Sequence, residues 1–187
     1  VEPATFWTFL KCVYGGSDIV IPKLSFNDSV KLLYVLEKYL VNGIKPKVVS
    51  HTLQLLPLRF DNIFCAVSNP VCFSDVKLEK AINNIIECKV NKILSSEKIL
   101  QISSEGLLKI VKLKSLNTSE TNVWDAVVKW AKHNTKSTNR EVLRKQILSH
   151  LKFIRVCTFT LEEFCEKVIS TGILTYLEVI EICKYFS

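Results

Sequence analysis

Apolar positions recur at helical rather than strand spacing along nearly the whole chain. The first run, Phe6, Trp7, Phe9, Leu10, Val13 and Tyr14, follows Pro3, whose fixed φ suits the first turn of a helix, and it stops at Gly15-Gly16-Ser17-Asp18. Ile19-Val20-Ile21 before Pro22 is the one convincing strand pattern, and it is short. A second helix is predicted from about Phe26 to Val41. Wound at about 100° per residue, it sets Val30, Leu33, Tyr34, Leu40 and Val41 on one side. Leu32, Leu36 and Tyr39 spill onto the other, leaving a narrow polar sector near Asn27, Lys31 and Lys38. A helix apolar over most of its circumference is buried on several sides. Asn42-Gly43 caps it and marks a unit boundary.

From Ile44 onward helix follows helix, at about 45–56, 62–68, 74–90, 97–102, 104–113, 120–134, 139–151, 161–170 and 176–186. Thr138-x-x-Glu141, Thr160-x-x-Glu163 and Thr175-x-x-Glu178 each fit the capping box, in which a hydroxyl and a carboxylate satisfy orphan backbone donors reciprocally. The helix near 120–134 carries Val123, Ala126, Val127, Trp130 and Ala131 in one stripe, widened by Trp124 and Val128. Two tryptophans at these angles read as core anchors rather than as a ligand-stacking platform. No strict repeat of 20–50 residues is found, although the succession of short helix pairs resembles a stacked array.

Composition narrows the function classes. With 187 residues, 48% of them hydrophobic, the chain can bury a sizeable core, and disorder is excluded. Five glycines and five prolines are about half of average usage, in keeping with few turns. There is no methionine, so Val1 is expected not to be a native start. Apolar runs such as Asn62–Ser74 are too short and too polar to span a membrane. The seven cysteines (12, 65, 72, 88, 157, 165 and 183) show no Cys-x-x-Cys and no nearby Cys/His cluster, so they predict neither a zinc site nor a disulfide framework. Their number suits a reducing compartment, cytosol or nucleus.

Candidate chemistry is sparse. His51, His133 and His150 are scattered outside any metal or hydrolase motif, and no P-loop, His-Glu-x-x-His or Gly-x-Ser-x-Gly occurs. Gly15-Gly16-Ser17 follows a helix, whereas phosphate loops follow a strand, so it reads as a turn. No catalytic residue, cofactor or metal is expected. The net charge of +7 is concentrated between Lys109 and Arg155, where eleven basic residues face only Glu120, Asp125 and Glu141. Lys129, Lys132 and Lys136 share a helix face that could follow phosphates. Asp125–Lys129 and Glu141–Lys145, at i,i+4 with the acid first, instead fit an ordinary solvated surface. No exposed aromatic is expected among the lysines, and a nucleic-acid or acidic-partner patch is the alternative. Glu37 falls between Leu33 and Val41, inside the apolar sector. An unpaired buried carboxylate is costly, so Glu37 must be paired internally or sit at a contact with another chain.

Taken in order, several segments resemble the BTB (POZ)–BACK proteins, and within them the BTB-domain-containing group that also carries a PHR domain. They are Val1-Glu2-Pro3-Ala4-Thr5-Phe6-x-x-Phe9-Leu10-Lys11-x-Val13-Tyr14, Ile19-Val20-Ile21 and Leu33-x-x-Leu36-Glu37-Lys38-Tyr39-Leu40-Val41 on the BTB side. On the BACK side they are Asp61-Asn62-x-Phe64, Glu120-x-x-Val123-Trp124-x-Ala126-Val127-Val128-x-Trp130, Leu151-x-x-Ile154-Arg155 with Leu161-Glu162-Glu163-Phe164, and Ser170-Thr171-Gly172-Ile173-Leu174-Thr175-x-x-Glu178. Val35, Leu36 and Glu37 stand where small residues are usual, and Val156 where Phe is common.

The resemblance implies an all-α fold with one short strand: residues 1–43 as the C-terminal part of a BTB domain and residues 44–187 as a BACK array of helical hairpins. It implies a non-enzymatic, cytoplasmic (or nuclear) substrate adaptor of a cullin-3 ubiquitin ligase. Such an adaptor scaffolds an unidentified protein substrate and, in the full-length protein, homodimerises through BTB residues upstream of Val1. Carried over by position, Phe6, Leu10, Tyr14, Glu37, Tyr39, Asn62 and Phe64 are the candidates for a groove facing the cullin-3 N-terminal region. The alternative on the same fold is a nuclear transcription cofactor or nucleic-acid-associated protein using the basic 109–155 window.

Overall fold

The computed structural model describes residues 1–186, and among them every regular element is a helix. They divide into two compact units, Val1–Ile86 and Glu87 onward. This division falls inside a helix.

The first unit is organised around α3 (Phe26–Lys38), which packs against α1 (Pro3–Tyr14), α4 (Lys45–Leu55) and α5 (Asp61–Ser68). Phe26, Val30, Leu32, Leu33, Val35 and Leu36 are all buried, so the helix is enclosed as its pattern requires. Ser25 caps it, its hydroxyl accepting the Asp28 amide at 3.2 Å. Pro3 occupies the start of α1 and Pro46 the start of α4, where a missing amide leaves no bond unmade.

Two local expectations are corrected. Ile19-Val20-Ile21 is not a strand: Ser17–Val20 forms a short helix, α2, that runs into a 3-10 turn at Ile21–Lys23. A lone three-residue strand would leave its backbone groups unpaired, whereas the helical turn gives the Ile21 amide to the Ser17 carbonyl and the Leu24 amide to the Ile21 carbonyl. The second helix also ends before Asn42-Gly43. The Val41 amide reaches the Leu36 carbonyl at 2.9 Å and the Leu40 amide the Glu37 carbonyl at 3.1 Å. This is a Schellman stop with Leu40, not glycine, at φ 58°.

The second unit is built on α8 (Glu120–Thr135), with α9 (Arg140–Leu151) antiparallel beside it and α7 (Ser104–Val111) against α9. The chain enters this unit through α6 (Val76–Ser95), which leaves helical geometry at Lys89, and a 3-10 turn at Glu97–Gln101. Trp124 and Trp130 are core anchors. Their indole N–H groups donate to the Lys167 and Ile102 carbonyls, each at 3.0 Å, so neither buried polar atom is left unmatched. His150 is fully buried beside the Trp130 ring, with Nε2 3.0 Å from the Ser104 carbonyl. Burial holds its pKa below the ordinary value despite that contact.

The capping boxes at Thr160/Glu163 and Thr175/Glu178 are realised, at the starts of α10 (Leu161–Glu163) and α11 (Tyr176–Cys183). The box expected at Thr138 is not. Asn139 caps α9 instead, one residue later, its side-chain oxygen taking the Glu141 and Val142 amides at 2.9 and 3.4 Å. The predicted single helix at 161–170 is helical but irregular, widening to a π turn at Phe164–Val168 and tightening again at Ile169–Thr171. Glu178 also receives both guanidinium nitrogens of Arg144, at 2.8 and 2.9 Å. The hydrogen bonds from Arg144 outweigh a smaller burial effect and pull its pKa down from 4.5 to about 2.

Two predictions follow from these endings. Leu40 is exposed and carries the positive φ for no visible packing return, so Leu40→Gly is expected to raise stability by about 1 kcal/mol, or about 2–4 °C in Tm; a fall in Tm would contradict the strain argument. A group whose folded pKa lies below its unfolded one contributes stability above the unfolded value and loses it on acidification. The Glu178 contribution should therefore be complete above about pH 4.5 and disappear toward pH 2. Chemical denaturation of Glu178→Gln across that window should show a shallower acid loss than the unsubstituted chain.

Candidate functional site

Helix α1 is apolar around most of its circumference but is covered on only one side. Phe9 and Cys12 face inward and are buried. Phe6, Leu10, Tyr14 and Trp7 fall within about 100° of arc on the other side. Tyr14 is 84% exposed and Trp7 63%, with Phe6 also exposed and Leu10 half-buried. Tyr39, at the C-terminal end of α3, extends this surface. Its ring stacks on Phe9 with centroids 5.7 Å apart and tilts against Phe6 at 6.0 Å. Large apolar side chains held in a contiguous stripe in water are the usual mark of a protein contact.

The structure thus brings together Phe6, Leu10, Tyr14 and Tyr39 on one surface, and separates from it the other three residues drawn from the sequence. Phe64 is buried in the core of the first unit, packed edge-on against Phe60 at 5.3 Å. Asn62 is half-buried and its amide donates to the Leu55 carbonyl at 2.8 Å, tying α5 to the end of the preceding helical segment. Glu37 finds the internal partner its position requires. Lys45 Nζ lies 2.8 Å from Oε1, and the Ser74 hydroxyl donates to the same oxygen. Burial alone would raise its pKa, but the hydrogen bonds from Lys45 and Ser74 and the Lys45 charge together hold it below the ordinary value.

Glu37 forms one wall of a groove of about 690 Å³ lined by Val30, Tyr34, Val35, Pro70 and Val71, with the Glu2–Lys31 ion pair (2.7 Å) also at its border. Trp7 was not among the sequence candidates, although its position one residue after Phe6 and seven before Tyr14 was a visible signal. Lys45 and Ser74 had none, since both reach Glu37 from other segments.

The site offers contacts rather than reactive groups. Burial pushes the Cys72 thiol up to about 12, with Cys65 adding to the effect, and raises Cys12 and Cys65 as well, so these thiols are protonated and weakly nucleophilic near neutral pH. Among the described residues no group of three or more His, Cys, Asp or Glu side chains could hold a metal ion, and no helix is long and apolar enough to cross a membrane.

The basic window of the second unit is also resolved. The i,i+4 pair Asp125–Lys129 does not form. Asp125 bonds Lys167 at 2.5 Å and Lys129 bonds Glu97 at 2.6 Å, because both helix faces meet oppositely charged neighbours from other segments. Lys129 is thereby drawn out of the proposed phosphate-tracking stripe, and Lys136 leaves the helix altogether, at φ 49°.

Comparison with known proteins gives the following relations. Residues 71–167, a little over half of the chain, match the BACK family, described as BTB And C-terminal Kelch. The whole chain is 29% identical over 191 residues to BTB/POZ domain-containing protein 6 of Mus musculus, covering 34% of that protein. It is 28% identical to BTB/POZ domain-containing protein 6-B of Danio rerio (100% of this chain, 38% of the relative). To BTB/POZ domain-containing protein 3 of Homo sapiens it is 26% identical (100% and 35%). The chain thus spans about a third of the length of the curated relatives it matches. No solved structure matches it significantly.

The division between surface and core among the seven candidates is open to measurement. Tyr14→Ala should change unfolding free energy by less than about 0.5 kcal/mol, while Phe64→Ala should cost about 3–5 kcal/mol and Asn62→Ala about 1 kcal/mol. Urea unfolding of the three variants checks the order; a Tyr14→Ala loss as large as that of Phe64→Ala would show that the ring is enclosed.

Proposed function

The chain belongs to the BACK family, and from that premise we propose that it is a non-catalytic protein-interaction module. Its finer role in this reading is that of a substrate adaptor of a cullin-3 ubiquitin ligase. The observation that carries the reading is the outer face of α1, where Phe6, Trp7, Leu10 and Tyr14 stand in one apolar stripe continued by Tyr39. The similarity of the whole chain to about a third of each BTB/POZ domain-containing relative supports it.

The mechanism is one of proximity. An aromatic stripe of this kind supplies the large, rigid anchors that dominate protein contacts, and the ligase component docked on it would hold a substrate recruited elsewhere in the protein. The second encounter then becomes intramolecular, at an effective concentration far above that of the free components. In this reading the full-length protein works as a homodimer in the cytoplasm, and the Glu37–Lys45–Ser74 cluster braces the wall behind the docking face.

The direct test is calorimetric titration of the intact protein with the N-terminal region of cullin-3. Binding is expected, and Tyr14→Ala and Trp7→Ala should each weaken it about tenfold or more without a change in Tm. No binding by the unsubstituted protein would sink the adaptor role. Undiminished binding by both variants would move the docking surface away from α1.

A further inference from the structure

The second unit carries an exposed aromatic among its cations, which the sequence pattern concealed. Phe153 follows the C-terminus of α9 and is 39% exposed. Lys112, at the C-terminus of α7, places its ammonium 4.9 Å from the Phe153 ring centroid. Lys152 precedes Phe153 and is exposed. Arg155 Nη1 donates to the Lys114 carbonyl at 3.4 Å, which ties the backbone of the exposed Lys114 to the segment just after Phe153.

The acid that contacts Arg155 is turned inward. Glu120 has a side chain only 10% exposed and accepts the Arg155 amide at 3.1 Å and Nε at 2.7 Å, while the Arg155 side chain remains half-exposed above it. Lys112 and Lys152 sit at helix C-termini, where a cation complements the helix dipole. That role accounts for two of the four charges and Glu120 balances Arg155, which leaves the exposed Lys114 and the part-exposed Phe153 ring without a packing role.

We propose that the Phe153 ring with Lys112 against it, and Lys114, Lys152 and Arg155 on the adjoining segments, form a docking patch for an acidic peptide segment bearing an apolar side chain. Carboxylates of the segment face the ammonium and guanidinium groups, and its apolar side chain covers the ring. A peptide fits better than nucleic acid because the patch is compact and centred on one ring. The row of cations that would extend it along a phosphate backbone is interrupted where Lys129 pairs with Glu97 and Asp125 with Lys167. This patch belongs to the second unit and does not depend on the α1 docking face or on cullin binding.

The test is fluorescence anisotropy of the intact protein with a short labelled peptide of Asp and Glu around one central Phe, a second peptide with Ser in place of Phe, and a short single-stranded DNA. The Phe peptide is expected to bind saturably below about 0.15 M salt and to weaken as salt rises. The triple charge reversal Lys112→Glu, Lys114→Glu, Lys152→Glu should weaken it about tenfold or more, and Phe153→Ser should remove its preference over the Ser peptide. Circular dichroism checks folding, and Lys114→Glu alone, in an exposed segment, serves if the triple variant does not fold. Absence of saturable binding overturns the proposal, as does binding untouched by charge reversal or tighter binding of the DNA.

Discussion

Two helices bury most of their circumference, and the rest of each unit is arranged to enclose their apolar sides. In the first unit α3 buries six large apolar side chains pointing in several directions, so α1, α4 and α5 must surround it. In the second, α8 buries both tryptophans along with Val123, Val127 and Val128. Each fully buried large side chain contributes about 1.5–3 kcal/mol, and enclosing the tryptophans adds a directional demand. Their N–H groups must meet carbonyls, which the Lys167 and Ile102 backbones supply. The irregular segment around Phe164–Val168 is therefore held to α8 by a specific hydrogen bond as well as by packing.

The exposed apolar face of α1 has the same origin. Helix α1 has apolar residues on two sides, and α3 can cover only one of them. Phe9 and Cys12 are spent on the core, leaving Phe6, Trp7, Leu10 and Tyr14 outside. Glu37 shows the complementary case, a carboxylate within an apolar sector that is kept charged by Lys45 and Ser74 rather than neutralised.

Charge placement follows a different logic from packing. Asp125 and Lys129 were one helical turn apart and of the right order to pair, yet each takes a partner 42 and 32 residues away. Exposed i,i+4 pairs are worth only a few tenths of a kcal/mol, so a better-placed partner on another element displaces them easily. The basic window is consequently less uniform than its sequence suggests: locally neutralised along α8, and concentrated around Phe153 beyond α9.

The amino-acid sequence by itself determined most of the helices, their order and the capping boxes at Thr160 and Thr175. Periodicity and capping are local properties, carried by residues three or four apart. For the same reason it identified Trp124 and Trp130 as core, and Phe6, Leu10 and Tyr14 as sharing a helix. What it could not decide was which side of a doubly apolar helix would be covered, since that depends on how many neighbours arrive. Thus Phe64 lay inside and Trp7 outside. It also misjudged Ile19-Val20-Ile21, where β-branched residues suggest a strand but no partner strand exists among the described residues to satisfy one. The Leu40 turn, the Glu37 partners and the meeting of Lys112 with Phe153 were settled only by tertiary structure. The last two depend on segments remote in sequence arriving at one point, and distance along the chain carries no trace of that; the Leu40 turn is local, but it lacks the glycine that usually marks such a stop.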